Sequence, residues 1–441
     1  MKSLKSNSNK VNYSNYRNLL IFIFTLFIFS FFLSSRVKNT YGRGIGSLKV
    51  RSVDTMKFSR DAARKEAKNG VFDLIIDRQI SQIASLNTTH VAIDTPYDEE
   101  FVPFLRRWVQ IARKYKLKVW FRGNLSGWEE WFEYPKIDKS VRIKKIEKFI
   151  KDNKDIFQDG DIFTSCPECE NGQIDVYVEP ESYKKFIIDE HLAVKKAFLT
   201  IRKSVIVNYN SMNGDIAQLI MDRETTKAMD GIVTVDHYIQ SQEKLVKDLE
   251  DLAEKSGGRI VLGEVGVSLA DIHGEMTESE QRDWLAKLFV KLNKFDKLEG
   301  INYWLSYGGS TALWDTDGNE RLAAEVVRNA YAGRELKAKL IDRKGQVISD
   351  AEILTLNETY LVDTEGVFSV PYLFKGQRLE INAKGYPTKT QVSIDEAEDG
   401  QIILEFDTNK NPIKISLWDR ILKLLSYPII ILNSLLTPDK I

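Results

Sequence analysis

The chain has 441 residues, in which 63 lysines and arginines are balanced by 63 aspartates and glutamates. That length suits one large domain with a smaller companion, and zero net charge offers no basic field to recruit nucleic acid. With 43% hydrophobic and 29% charged residues the composition is that of a globular protein, which excludes a disordered or low-complexity chain.

The first element is apolar. Residues 18–35, NLLIFIFTLFIFSFFLSS, carry no charge and are rich in Leu, Ile and Phe. As a helix they would rise about 27 Å, close to the thickness of a bilayer core. Lys2, Lys5, Lys10 and Arg17 precede the run. The positive-inside rule then makes residues 1–17 a cytoplasmic N-terminus and 18–35 a single-pass signal anchor of the cell membrane. Everything beyond lies on the extracytoplasmic side. A cleaved signal peptide is the rival reading, against which stand the long apolar core and the lack of a small-x-small cleavage site.

Between residues 45 and 333 short apolar runs alternate with helical stretches. The runs are 48–54, 90–94, 117–121, 161–165, 204–209, 231–236, 259–264 and 301–305. Their apolarity is continuous rather than alternating, as strands buried on both faces require. The intervals show helical spacing: Phe72, Ile75, Ile76, Ile80 and Ile83; Phe101, Leu105, Trp108, Val109 and Ala112; Leu245, Leu249 and Leu252, with Gly257-Gly258 as a stop. Eight strands alternating with helices predict an α/β fold, a (β/α)8 TIM barrel. An open doubly wound sheet is the alternative, but no glycine-rich phosphate loop follows any run.

From 336 to 408 the texture becomes short alternating runs separated by Gly and Asp turns, predicting a small C-terminal β-sandwich. The segments LIDRKGQVISDAEI, LVDTEGVFSV with Asp363, Gly366 and Phe368, and INAKGY with Gly385 and Tyr386 resemble carboxypeptidase regulatory-like domains, a likeness that implies an accessory role. Residues 412–437 form an apolar tail interrupted by Pro428. It reads as an amphipathic helix with Trp418, Ile421, Leu422 and Leu425 on one side, either lying on the membrane or docked on the protein.

Active sites of such barrels sit at the C-terminal ends of the strands. Two acidic positions stand out there: Glu168 and Glu170 in DIFTSCPECENG after the fourth run, and Glu264 in RIVLGEVG closing the seventh. One glutamate after strand four and one after strand seven resembles the clan-A glycoside hydrolases over residues 45–333. The resemblance implies Glu168 as acid/base and Glu264 as nucleophile, on an oligo- or polysaccharide substrate and with no cofactor. The clan places an asparagine before its acid/base, whereas Pro167 stands here, so Glu170 is the fallback. Other candidates for contacts with sugar are Arg122, Asn208, Asn210, Asp236, His237 and Tyr238 past the third, fifth and sixth runs. Trp128, Trp131, Trp304 and Trp314 are candidate stacking platforms for pyranose faces.

Cys166 and Cys169 are the only cysteines, and export would permit a disulfide between them. A zinc site would need two more ligands, and the four histidines show no ligand-like pairing. The leading expectation is therefore an exported, membrane-anchored retaining glycosidase. The alternatives are a glycan-binding protein on a glycosidase-like barrel and a thiol switch.

Overall fold

The computed structural model describes residues 44–172, 174–384, 390–397 and 400–404. The expected anchor at 18–35, the tail at 412–437, and Gly385 and Tyr386 lie outside the described residues. Among those described, no helix is long and apolar enough to cross a membrane.

Eight parallel strands form the core: β1 Val50–Val53, β2 His90–Ile93, β3 Lys118–Phe121, β4 Ile162–Phe163, β5 Ser211–Asn213, β6 Ile232–Asp236, β7 Arg259–Val265 and β8 Leu298–Tyr303. They pair in the orders β1-β8-β7-β6-β5 and β2-β3-β4. Parallel bridges Asp54↔Ala92 and Ile162↔Ile206 join the two arcs into a closed ring. Around each junction backbone amides continue the ladder, from Thr89 to the Arg51 carbonyl at 2.8 Å and from Phe163 to the Ile206 carbonyl at 2.8 Å.

The barrel interior is filled. Val50, Ala92, Trp120, Ile162, Tyr209, Ile232 and Val261 form one apolar cluster contributed around the ring. Trp120 is its largest member, and its indole NH donates to Thr164 Oγ1 at 2.9 Å. The expected helices pack outside, including Phe72–Ala84, Val102–Lys114 and Gln242–Ser256, with Ile76, Trp108 and Leu249 among the residues they bury. Gly257, at φ 66°, ends the third of these in the left-handed conformation that glycine supplies without a Cβ penalty.

The fifth strand differs from the sequence reading. The run 204–209 makes only the single bridge at Ile206, and regular pairing with β6 begins at Ser211. The Thr164 hydroxyl caps the Tyr209 carbonyl at 2.5 Å, so a side chain takes the place of a ladder bond there.

Behind the barrel, β9 Glu335–Asp342, β10 Ala351–Thr355, β11 Glu358–Leu361, β12 Val367–Pro371, β13 Arg378–Ala383, β14 Thr390–Ser393 and β15 Gln401–Leu404 form two small sheets. Their orders are β11-β10-β13-β14 and β12-β9-β15. They dock on the last two barrel helices, Glu278–Leu292 and Leu322–Ala332. Asn329 donates to the Leu373 carbonyl at 3.0 Å, and the Arg282 guanidinium lies 4.3 Å from the Phe374 ring centre.

Trp120 fills the barrel axis, so Trp120→Ala leaves a cavity that the rigid ring cannot close. A loss of about 3–5 kcal/mol is expected, read as a shift in denaturation midpoint at unchanged m-value.

Candidate active site

The C-terminal end of the barrel is organised around one buried cation. Arg122, directly after β3, is 2% exposed. Its Nη1 donates to Asp54 Oδ2 at 2.9 Å and to the Gly263 carbonyl at 3.0 Å. Its Nη2 donates to Glu264 Oε1 at 3.0 Å, Ser211 Oγ at 3.3 Å and Asp236 Oδ2 at 3.4 Å. One side chain thus links the ends of β1, β3, β5, β6 and β7. Asn302 on β8 joins through Asp54 Oδ2 and the Gly263 carbonyl, both at 3.0 Å.

Glu264 is aimed by backbone as well as by charge. Asp236 pairs with Glu264 in the β6–β7 register, and the ladder shifts beside it on both flanks of β7. Such irregularities re-aim a side chain at a strand end. Gly263 makes the approach possible: a Cβ there would sit 2.4 Å from Asp236 Oδ1. The free oxygen of Glu264, Oε2, accepts the Tyr238 hydroxyl at 2.9 Å. Tyr238 in turn meets the partly exposed Trp304 edge-on, with ring centres 5.9 Å apart.

One guanidinium cannot neutralise the carboxyls of Asp54, Asp94, Asp236 and Glu264, so protons take the place of missing cations. Burial, then the charge of Asp54, raises Asp94 well above the usual carboxylate range. Burial, then Glu264, does the same to Asp236. Burial pushes Glu264 up to about 7, opposed by Arg122 and by the Tyr238 hydrogen bond.

The β4 loop supplies the facing acid. Glu168 lies between Cys166 and Cys169, which form a disulfide with Cα atoms 5.2 Å apart. Its backbone is left-handed, φ 45° and ψ 53°, a conformation that costs an L-residue about 1–2 kcal/mol. The Glu168 amide donates to the Ser211 carbonyl and its carbonyl accepts the Asn171 amide, each at 3.0 Å, and among the described residues its carboxylate meets only Asn171 Nδ2, at 3.4 Å. It is near enough that its charge raises both Glu264 and Asp236. Glu170 is engaged differently. It accepts the Asn213 amide at 2.7 Å and side chain at 3.2 Å, and the Tyr183 hydroxyl at 3.1 Å. These bonds pin the loop to β5, while burial raises the Glu170 carboxyl above its ordinary value, opposed by the Asn213 amide.

A further carboxyl, Glu129, escaped the sequence reading. It accepts Asn124 Nδ2 at 2.8 Å, and Asn171 Nδ2 lies between it, at 3.5 Å, and Glu168. Burial raises it to about 7, with a further push from Glu168. The only hint in the sequence was its place between Trp128 and Glu130, where a solvated charge reads the same.

The remaining candidates scatter. Trp128, expected on the rim, is fully buried; its ring stacks on Phe186 and its NH donates to the Cys169 carbonyl at 3.2 Å. Trp314, also expected there, is buried and stacked on Tyr307. Both brace loops, and neither presents a face to a sugar. The Arg60 guanidinium lies 4.6 Å from the centre of the partly exposed Trp131 ring. The His237 ring bonds Asp248 on the neighbouring helix at 3.1 Å, and only its backbone amide reaches Glu264, donating to the main-chain carbonyl at 3.1 Å. Asn208 reaches the Asp230 carbonyl at the other end of β6, 3.4 Å away, and Asn210 meets Ser165 at 3.5 Å. Arg122, expected to hold hydroxyls, is instead consumed by the buried acids.

A cleft of about 760 Å³ opens beside these acids, lined by Glu170, Asn171, Tyr177, Asp236, Tyr238 and Ile272 among others. A second cleft, of about 540 Å³ and lined in part by Tyr97, Glu100, Lys148 and Phe149, contains none of the strand-end acids. The one grouping among the described residues with metal-ligand proximity is Cys166, Cys169 and Glu190. Both sulfurs there are in the disulfide, and Glu190 bonds Arg142 at 3.0 Å.

No protein-family model and no curated protein matches the sequence. Among solved structures, Bacteroides uniformis beta-glucuronidase 2 aligns with a TM-score of 0.42 at 11% identity, over 76% of this chain and 44% of that one. The Dictyoglomus thermophilum beta-D-glucuronidase aligns with a TM-score of 0.42 at 13% identity, over 59% and 47%. The Ruminococcus gnavus beta-glucuronidase gives 0.43 at 13%, over 58% and 46%. The chain spans less than half the length of each.

Two measurements probe the buried charges. Arg122→Met strands several carboxyls without a cation, and should cost about 3–5 kcal/mol by chemical denaturation at neutral pH. Glu129, raised from 4.5 to about 7, holds its proton more tightly folded than unfolded. Its contribution is therefore complete below about pH 4.5 and is lost as pH rises through about 7. Glu129→Gln should flatten that region of the stability profile.

Proposed function

We propose that this protein is a glycoside hydrolase of the retaining type, acting on an oligo- or polysaccharide with Glu264 as nucleophile and Glu168 as acid/base. The observation that carries the reading is the contrast between two glutamates at the ends of β4 and β7. Glu264 is gripped at both oxygens, by Arg122 and by Tyr238. Glu168, within its electrostatic reach, has a carboxylate that meets only the Asn171 side chain among the described residues, at 3.4 Å. A nucleophile must be held in line and keep its charge, whereas an acid/base must exchange protons with leaving group and water.

In this mechanism Glu168 protonates the glycosidic oxygen while Glu264 Oε2 attacks the anomeric carbon and forms a glycosyl ester. Glu168 then deprotonates the water that cleaves the ester. Trp304 offers its partly exposed face beside Tyr238 as the floor for the reacting sugar, and the adjoining cleft receives the rest of the chain. The accessory sandwich fits a regulatory-like module, consistent with its short-strand motifs.

Export and anchoring complete the reading, with the barrel on the extracytoplasmic side. They are supported by the uncharged run 18–35 behind four basic residues and by a disulfide, which belongs to oxidising compartments.

The test is hydrolysis of a panel of polysaccharides and aryl glycosides by the full chain in detergent, wild type against Glu264→Gln, with released sugars read by mass spectrometry. Wild type should release sugar and the variant should not. Glycan binding without release by either would replace hydrolysis with a binding role. Because burial raises the Glu264 carboxyl, the acid limb of kcat/KM should lie above the ordinary carboxylate range.

A further inference from the structure

We propose that the Cys166–Cys169 disulfide is a positioning element for Glu168, fixing the backbone that aims the acid/base at the scissile bond. This rests on the glycosidase reading above. The bridge encloses only Pro167 and Glu168. Proline fixes its own φ, which leaves the Glu168 torsions as the soft pair inside the clamp. Those torsions sit in the left-handed region, which costs an L-residue about 1–2 kcal/mol.

The surroundings show what could hold it. On one flank Arg142 donates to the Ser165 carbonyl, and on the other Trp128 holds the Cys169 carbonyl at 3.2 Å. Glu170 is tied to Asn213 and Tyr183. Both flanks of the loop are therefore anchored to the barrel. Between them Glu168 has two backbone bonds, its amide donating to the Ser211 carbonyl and its carbonyl accepting the Asn171 amide, each at 3.0 Å, and one long side-chain contact, to Asn171. Among the described residues no packed side chain fixes the carboxylate, so the backbone decides where it points, and the covalent clamp holds that backbone together with these two bonds. The sulfurs are buried, Cys166 at 2% and Cys169 at 3% exposure, in a small pocket with Tyr183, Ile187 and Met212. Replacing them by small residues opens the clamp while leaving the anchored flanks in place.

The readout separates aim from general damage. An acid matters for an aryl glycoside with a poor leaving group and not for one whose leaving group departs as a stable anion. Cys166→Ser/Cys169→Ser, Cys166→Ala/Cys169→Ala and Glu168→Gln would be assayed in the full chain on a phenyl and a dinitrophenyl glycoside of one sugar. The two cysteine variants should lose kcat/KM on the phenyl glycoside by an amount on the order of 10²-fold. On the dinitrophenyl glycoside both should keep a kcat/KM close to wild type, while kcat falls because the shared hydrolysis of the glycosyl ester still needs Glu168 as base. Glu168→Gln should show the same selectivity, more strongly.

A kcat/KM unchanged on both substrates, or reduced equally on both, would overturn the positioning role. Should neither cysteine variant fold, the wild type is reduced with dithiothreitol, whose two thiols deliver two electrons and two protons and become a cyclic disulfide. Opening of the bridge is verified by alkylation, and the same leaving-group selectivity must appear. A wild type inactive on every substrate would instead sink the glycosidase reading itself.

Discussion

Arg122 is a guanidinium almost wholly removed from water, and the top of the barrel is built to make that tolerable. Desolvating a single cation costs several kcal/mol unless its donors are met by well-placed acceptors. Here the two Nη groups are met by Asp54, Asp236, Glu264, Ser211 and the Gly263 carbonyl, gathered from the ends of four other strands, while Nε finds no partner among the described residues. The same contacts that satisfy the cation fix the separation of the strand ends and deliver Glu264 with one oxygen committed and the other turned to Tyr238. Stability and the orientation of the proposed nucleophile are in this way a single interaction. The β7 irregularity and the absence of a Cβ at Gly263 are what let the strands come close enough to share it.

A second buried arginine acts in a similar way farther from the barrel axis. Arg142, on the helix Lys139–Asp152, donates to Glu190, Asn124 and the Ser165 carbonyl and lies 4.8 Å from the Trp128 ring centre. It gathers the loops after β3 and β4, which carry Glu129 and Glu168. Asn124 and Asn171 then relay that order to the two carboxyls. The floor of the site is held by Arg122 and its walls by Arg142, and neither guanidinium is free for a ligand.

Much of this plan was legible in one dimension, because burial on both faces forces continuous apolar runs and helices must show their inner stripe. The run 259–264 put Glu264 at the end of a strand, and the period of Ile76, Ile80 and Ile83 marked a buried face. What spacing does not encode is which side chain meets which. Arg122 at the end of LKVWF looks like a sugar ligand until the acids of β1, β6 and β7 surround it. Trp128 and Trp314 look like stacking platforms in loops, and only tertiary packing shows them facing Phe186 and Tyr307. Glu129 looks like surface charge until Asn124 and burial claim it. The displaced β5 follows from the Thr164 hydroxyl capping Tyr209, a contact 45 residues apart that no local propensity announces.

The hub also constrains how this sequence can change over time. Each acid around Arg122 is held in place by a cation that the others share, so losing Arg122 alone leaves all of them buried without compensation. A lineage could not shed that cation before its acids without passing through poorly folded intermediates. The proposed mechanism would be silenced more cheaply at Glu168, whose carboxylate bonds only Asn171 among the described residues. On that mechanism, a homologue that keeps Arg122, Asp54, Asp236 and Glu264 but replaces Glu168 is the kind expected to bind glycan without cleaving it.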